Sequence, residues 1–340
     1  MPPEDHVPTR FTILGAGAWG TALALVLAEK DEHHVTLWSA RPENAELLRQ
    51  RRENVRLLPG VPIPAKIQLN ADAGALRGAD LLITAIPTIH LRPTLERIAA
   101  AVPAQVPVLS LTKGVESHTF RRPSEIIHEV LGPRPLAVLS GPSHAEEVAR
   151  GLPTTLVAAS ADEALARRVQ EALASERFRV YTNSDVLGVE LAGALKNIIG
   201  IAAGISDGLG LGDNAKSALL TRGQAEMARF GVARGARLQT FWGLAGMGDL
   251  ITTCISSHGR NRLVGMRLAR GERLAQIAAS MAMIAEGVNT ARSVHEEASR
   301  LGIPMPITTE VYRVLYEDTD PRAAVYALMT RESKSEYDGV

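Results

Sequence analysis

Across residues 11–182 the chain alternates short apolar runs with amphipathic stretches, and beyond Val186 helical patterns take over. Such alternation is the pattern of a parallel sheet with helices on its faces, because strands buried on both sides read as continuous apolar segments. The strand candidates are residues 11–14, 35–38, 81–86, 108–111, 136–139, 155–158 and 178–181, with helices over 21–29, 91–101 and 163–174 among them. Helices are then expected over 186–206, 214–231, 259–270, 289–300 and 307–317. The change falls near Asn183-Ser184. It divides the chain into a short disordered leader over 1–10, an α/β domain over 11–184 and an all-helical domain over 185–340.

Gly15-Ala-Gly17-Ala18-Trp19-Gly20 follows the first strand candidate and opens a helix, matching G-x-G-x-x-G in the context a dinucleotide site requires. The first glycine makes a tight turn, the second lets backbone N–H groups approach a pyrophosphate, and the third permits close helix–strand packing. The phosphates then lie at a helix N-terminus, where unpaired N–H groups and the helix dipole favour negative charge. The second strand candidate runs into Ser39-Ala40-Arg41, with no acid until Glu43. An NAD site ordinarily carries Asp or Glu here for the ribose 2′-hydroxyl, whereas serine and arginine suit a 2′-phosphate. NADP is therefore expected in preference, with NAD use left open. The competing reading makes Arg41 a solvated residue ahead of a helix starting at Pro42.

Glu190-Leu-Ala-Gly-Ala-Leu-Lys196-Asn197-Ile-Ile-Gly-Ile-Ala-Ala-Gly204 reads as a helix with almost no polar face, expected to be buried nearly all round. A helix lysine is ordinarily solvated. Here Ala192, Ile199, Gly200 and Ala203, at helical spacings from Lys196, are all small or apolar. Burial disfavours the ammonium and lowers its pKa toward neutrality, where proton transfer is efficient, so Lys196 is a candidate acid–base group. Glu190, Lys196, Asn197 and Asp207 interrupt the run. It lacks the roughly 20 uninterrupted apolar residues of a membrane span.

Charges balance at 37 basic against 37 acidic residues in 340, which excludes a general nucleic-acid or anionic-membrane binder. Any anion must be gripped locally. The single cysteine, Cys254, excludes an internal disulfide framework and fits a reducing compartment, and residues 1–10 lack the apolar core of a signal peptide. A cytoplasmic location is expected. Cys254 and His258 alone fall far short of a zinc site, so no metal is expected.

Several further segments suit a small anionic ligand. Thr112-Lys113-Gly114 puts a lysine just past a strand end, where ligands of open parallel sheets bind. Ser140-Gly141-Pro142-Ser143-His144-Ala145 offers a glycine for close approach and a helix start. Asp249 ends the glycine-rich run beginning at Gly243, and Gly259-Arg260-Asn261 brings a guanidinium and an amide to a helix N-terminus. An arginine there opposes the helix dipole, which makes sense beside an anion.

Gly15-x-Gly-x-Trp-Gly-Thr-Ala-Leu-Ala24, Thr112-Lys-Gly114, Ser140-Gly-Pro-Ser-His-Ala145, Glu190-Leu-x-Gly-Ala-Leu-Lys-Asn197, Thr221-Arg-Gly223, Gly243-Leu-Ala-Gly-x-Gly-Asp-Leu250, Arg260-Asn261 and Ala285-Glu-Gly287 occur in this order. Together they resemble the soluble NAD(P)-dependent glycerol-3-phosphate dehydrogenases of bacteria, from Phe11 to about Tyr316. The resemblance implies an α/β fold: an N-terminal Rossmann-type dinucleotide-binding domain followed by an all-helical domain like the C-terminal part of 6-phosphogluconate dehydrogenase. It implies reversible reduction of dihydroxyacetone phosphate to sn-glycerol 3-phosphate for phospholipid synthesis. Lys196 then matches the catalytic lysine and Lys113 a second lysine near cofactor and substrate. Asp249, Gly259, Arg260, Asn261, Gly141 and Ser143 match substrate positions. Ala18, Trp19, Ala145, Ile284 and Glu286 match cofactor positions, with Arg260 near both ligands. The family commonly carries serine where this chain has Gly259, so one hydroxyl contact is lost, and the Gly259 N–H is a candidate replacement. No nucleic-acid partner or integral membrane segment is expected, and a homodimer is allowed. Two rivals remain at this point: a two-domain dehydrogenase of another hydroxy or sugar acid, and a catalytically idle cofactor sensor.

Overall fold

The computed structural model describes residues 9–281, 285–333 and 335–336. Packing divides the chain into two compact units, Met1–Thr112 with Pro123–Val186 and Lys113–Arg122 with Leu187–Val340.

The first unit is built on β1 (Arg10–Leu14), α1 (Ala18–Leu27), β2 (His34–Trp38), α2 (Pro42–Arg51), β3 (Glu53–Asn54), β4 (Leu58–Pro62), β5 (Gln68–Asn70), β6 (Leu81–Thr84), α3 (Thr88–Ile98), β7 (Val108–Ser110), α4 (Pro123–Leu131), β8 (Leu136–Ser140), α5 (Ala145–Ala149), β9 (Thr154–Ala159), α6 (Glu163–Leu173) and β10 (Phe178–Asn183). Eight strands form one sheet in the order β10-β9-β8-β7-β6-β1-β2-β5, while β3 and β4 pair separately. The central strands are buried on both faces, as their unbroken apolar runs demand. From β1 the chain goes to β2 on one side and later to β6 on the other. The order therefore reverses between β1 and β6, and the crevice beyond their carboxyl ends is where such sheets bind ligands.

Two details depart from the sequence reading. Residues 1–8 of the expected leader lie outside the described residues, and Arg10 already belongs to β1, its N–H donating to Asp80 at 3.0 Å. The sheet is also not wholly parallel: β9 runs antiparallel to β8, with Leu139 opposite Ala158. The connection explains it. The five residues of α5 span only about 7 Å, too short to carry the chain back along the sheet for a parallel return.

The second unit is helical: α7 (Val186–Gly208), α8 (Gly212–Ala233), α9 (Leu238–Trp242), α10 (Asp249–Ile255), α11 (Arg260–Ala269), α12 (Leu274–Ser280), α13 (Glu286–Leu301), α14 (Pro306–Tyr316) and α15 (Pro321–Met329). Among the described residues α7 alone has the length and apolarity to cross a membrane, and 83% of its most apolar stretch is buried inside the protein. Its small residues are contact points. A Cβ on Gly200 would come within 2.6 Å of Thr253 Cγ2, and one on Gly204 would overlap the Arg262 carbonyl. Facing it, a Cβ on Gly265 would overlap the Ile201 carbonyl. Helix α11 thus approaches α7 to backbone contact, which only glycine allows, and α10 sets its Thr253 side chain against Gly200.

The segment Lys113–Arg122, read from sequence as part of the first domain, groups with this second unit. Lys113 pairs with Asp249, the Phe120 ring lies 5.7 Å from that of Phe230, and Arg122 pairs with Glu190.

Candidate functional site

In the first unit the nucleotide face is made of backbone. Gly15 has φ +116°, a conformation open to glycine, and a Cβ there would overlap the Ala85 carbonyl at the end of β6. A Cβ on Gly20 would overlap the Gly15 carbonyl, so the third glycine is what lets α1 sit against the turn. Gly17 differs: a Cβ there meets nothing within 4 Å. It is the residue preceding α1, and no side chain caps the helix. Open space beside uncapped N–H groups is what a pyrophosphate requires, so the residues present fit a dinucleotide. Ala18 and Trp19 form the first turn of α1.

At the end of β2, the Ser39 hydroxyl accepts from the N–H of Arg41 at 3.3 Å and from Asn44 Nδ2 at 3.2 Å. Its proton remains available to donate. Arg41 stands exposed at the N-terminus of α2. A second guanidinium, unseen in the sequence reading, reaches the same turn: Arg97 of α3 donates to the Ala40 carbonyl at 3.2 Å and lies 5.8 Å from the centre of the Trp38 ring. Its signal is distant in sequence and visible only once α3 is placed. Elsewhere in this unit, Gly141 turns the chain with φ +128° after β8, Ser143 Oγ donates to the Gly141 carbonyl at 3.0 Å, and Ala145 opens α5.

In the second unit side chains converge on one carboxylate. Lys196, near the middle of α7, is 8% exposed, and Asp249, the first residue of α10, is 2% exposed. Lys196 Nζ lies 3.0 Å from Asp249 Oδ1, and Lys113 Nζ lies 2.7 Å from Asp249 Oδ2. Lys196 Nζ also donates to Thr253 Oγ1 at 2.6 Å. Thr253 was missed from sequence. It lies one turn after Asp249 on α10, at the i+4 position, and reaches Lys196 because Gly200 opens the space. A single π-type turn over Leu244–Gly248, with the Gly248 N–H donating to the Gly243 carbonyl at 3.2 Å, delivers Asp249 into place. Such turns concentrate at functional sites.

Burial drags the Lys196 ammonium down to about 8; Asp249 opposes that fall and Lys113 assists it. For Asp249, burial pushes the carboxyl up, but the two ammoniums outweigh it and hold the group below its ordinary value. The carboxylate is therefore charged at neutral pH, while Lys196 titrates close to it. Burial pushes the neighbouring Cys254 thiol up to about 12, so it is no thiolate nucleophile. Among the described residues no cluster of three His, Cys, Asp or Glu side chains could hold a metal ion.

Asn261 has a structural part that the sequence did not show. It is buried and bridges three helices: its Nδ2 donates to Asn197 Oδ1 at 2.8 Å, and its Oδ1 accepts from the Gly287 N–H at 3.0 Å. Gly259 precedes α11 with no side-chain cap, and its N–H donates to the Ser256 carbonyl at 3.3 Å. In this structure that N–H is engaged within the loop. Arg260 is exposed on the first turn of α11, which carries no acidic residue. Glu286 opens α13, whereas Ile284 lies outside the described residues.

A switch-point sheet with a glycine turn shaped for a dinucleotide, joined to a helical unit holding a buried Lys–Asp–Lys cluster, defines a dinucleotide-dependent oxidoreductase. Family models described as the NAD-dependent glycerol-3-phosphate dehydrogenase N-terminus and C-terminus match residues 10–166 and 185–326. The chain belongs to the NAD-dependent glycerol-3-phosphate dehydrogenase family. It is 49% identical over 331 residues to a protein named glycerol-3-phosphate dehydrogenase [NAD(P)+] from Chlorobium phaeobacteroides, covering 96% of this chain and 99% of that one. A protein of the same name from Geobacillus kaustophilus is 48% identical over 332 residues, covering 96% of each. The crystal structure of glycerol-3-phosphate dehydrogenase from Coxiella burnetii is similar with a TM-score of 0.91 and 40% identity, covering 97% of this chain and all of that one.

Proposed function

We propose that this chain reduces dihydroxyacetone phosphate to sn-glycerol 3-phosphate, reversibly, with NADPH preferred and NADH accepted, and so supplies the backbone of glycerophospholipids. The observation that carries this reading is a lysine buried in an apolar helix and paired at 3.0 Å with a buried aspartate, its burial favouring loss of the proton. A nicotinamide bound through the glycine turn supplies the hydride. Lys196, as ammonium, donates a proton to the ketone oxygen as negative charge develops there, and in the reverse direction neutral Lys196 accepts the hydroxyl proton. Asp249 orients the lysine and keeps enough charge beside it for the acid form to persist near neutrality.

Arg260 and the uncapped N-terminus of α11 suit the substrate phosphate, helped by the remaining amide hydrogen of Asn261. Lys113, Gly141, Ser143 and Gly259 complete the substrate assignment. Gly15, Gly17, Ala18, Trp19, Gly20, Lys113, Ala145, Arg260 and Glu286 are assigned to the cofactor, together with Ser39, Ala40 and Arg41, to which Arg97 is added. Binding energy from the phosphate, remote from the carbonyl, would fix the ketone for proton and hydride transfer. Residues 11–184 act as the nucleotide domain and 185–340 as the catalytic one, in a cytoplasmic enzyme.

The test is NADPH consumption with dihydroxyacetone phosphate, beside a panel of hydroxy-acid and sugar-acid substrates. Turnover confined to the phosphorylated ketone supports the reading. Tight NADPH binding with no turnover on any phosphorylated ketone would overturn it in favour of an idle sensor.

A further inference from the structure

The segment Lys113–Arg122 packs with the second unit although the chain on either side belongs to the first. It is a stiff strap. The Glu116 N–H donates to the Arg121 carbonyl at 2.8 Å, and the Phe120 N–H donates to the Glu116 carbonyl at 3.1 Å. Two non-glycine residues inside it, His118 (φ 69°) and Phe120 (φ 56°), adopt the left-handed conformation, which persists only where the surroundings hold it. The Phe120 ring rests 5.7 Å from that of Phe230, and the Arg234 guanidinium lies 5.2 Å from the Phe120 ring centre.

The two ends of the strap are tied to the catalytic cluster and its helix. At the near end Lys113 Nζ meets Asp249 Oδ2 at 2.7 Å. At the far end Arg122 Nη1 meets Glu190 Oε2 at 2.6 Å, and the Glu190 side chain is 1% exposed. Glu190 lies on α7 six residues before Lys196, about 9 Å along the same rigid helix. One helix therefore carries both the proton-transfer lysine and the anchor for the loop bearing the second lysine.

We propose that Arg122 and Glu190 are a positioning pair: by fastening the far end of the strap to α7, they hold the Lys113 ammonium on Asp249 and set the charge that Lys196 experiences. The inference deepens the proposed function and rests on Lys196 being the proton-transfer group. The charged and titratable groups facing Lys196 are Asp249 and Cys254 from α10 and Lys113 from the strap. Cys254 stays a neutral thiol, so the balance lies between Asp249 and Lys113. Releasing Lys113 leaves the attraction of Asp249 uncompensated, and Lys196 then holds its proton to higher pH.

The experiment is a direct NMR titration of Lys196 Nζ in the full chain without substrate, alongside the pH profile of kcat/KM for sn-glycerol 3-phosphate oxidation. In Arg122→Met the Lys196 midpoint should rise by about one pH unit. Lys113→Met should raise it equally, and the double variant should show no further rise, because both changes remove the same charge. A wild-type midpoint in Arg122→Met, or a rise that adds to that of Lys113→Met, overturns the inference. Should Arg122→Met fail to fold because Glu190 is left charged and buried, Arg122→Met/Glu190→Gln removes that charge and carries the same expectations. Shifted midpoints in the variants, with no turnover by the wild-type protein, would sink the proposed function while leaving the positioning role intact. Wild-type turnover with an unshifted midpoint in the variants sinks the positioning role alone.

Discussion

The glycine turn of the first unit and the lysine–aspartate cluster of the second are built by different means. The turn is made of backbone: Gly15, Gly17 and Gly20 matter for the side chains they lack. The cluster is made of side chains from the strap, α7 and α10, brought together by close helix packing around Gly200 and Gly204. A backbone site is specified by a few neighbouring residues. A side-chain site depends on every element that carries one of its members.

That contrast can be broken first at the glycines. Gly20→Val, whose Cβ would overlap the Gly15 carbonyl, should weaken NADPH binding roughly 100-fold and also lower the unfolding temperature. Gly17→Val should weaken binding comparably while leaving the unfolding temperature unchanged, since the space there is open within the protein. Fluorescence titration and thermal unfolding read both. Equal destabilisation by the two variants would remove the distinction between packing glycine and ligand-facing glycine.

A smaller effect sharpens the side-chain half of the comparison. Because burial lowers Lys196 to about 8, its neutral form grows as pH rises toward that value. Oxidation of glycerol 3-phosphate, which needs the base, should rise roughly tenfold per pH unit below the midpoint and level off above it. Reduction, which needs the ammonium, should be flat below about 8 and fall above it. Parallel profiles in the two directions would contradict a shared proton-transfer lysine. The smallest effect lies at the cofactor ribose: Arg41→Ala/Arg97→Ala should reduce the NADPH-over-NADH preference by roughly tenfold, as expected for lost guanidinium–phosphate contacts. Unchanged Michaelis constants for both cofactors would remove these arginines from the account.

The same contrast explains what could be read in the sequence. The glycine turn and the burial of α7 were legible because each is local, one as a spacing after a strand and the other as a mostly apolar stretch that fills a helix of 23 residues. The short strands β3, β4 and β5 escaped because Gln68-Leu69-Asn70 and the proline-flanked residues of β4 carry no apolar run. The antiparallel β9 escaped because direction depends on the length of α5 and not on the composition of the strand. Thr253 and Arg97 look like ordinary helix residues until α7 and β2 are placed beside them. Asn261 was singled out as a ligand residue, but its position also makes it the bridge between Asn197 and Gly287. The attachment of the strap to the second unit follows from Phe120 and Arg122 finding partners more than a hundred and nearly seventy residues away, respectively, which no local pattern encodes.

The separation of cofactor binding from proton transfer is tested most directly by Lys196→Ala, measuring the NADPH dissociation constant and the single-turnover rate of dihydroxyacetone phosphate reduction on the same preparation. The expected result is wild-type NADPH affinity with a turnover rate lower by about 1,000-fold. Near-normal turnover in that variant would contradict the assignment of Lys196 as the proton donor.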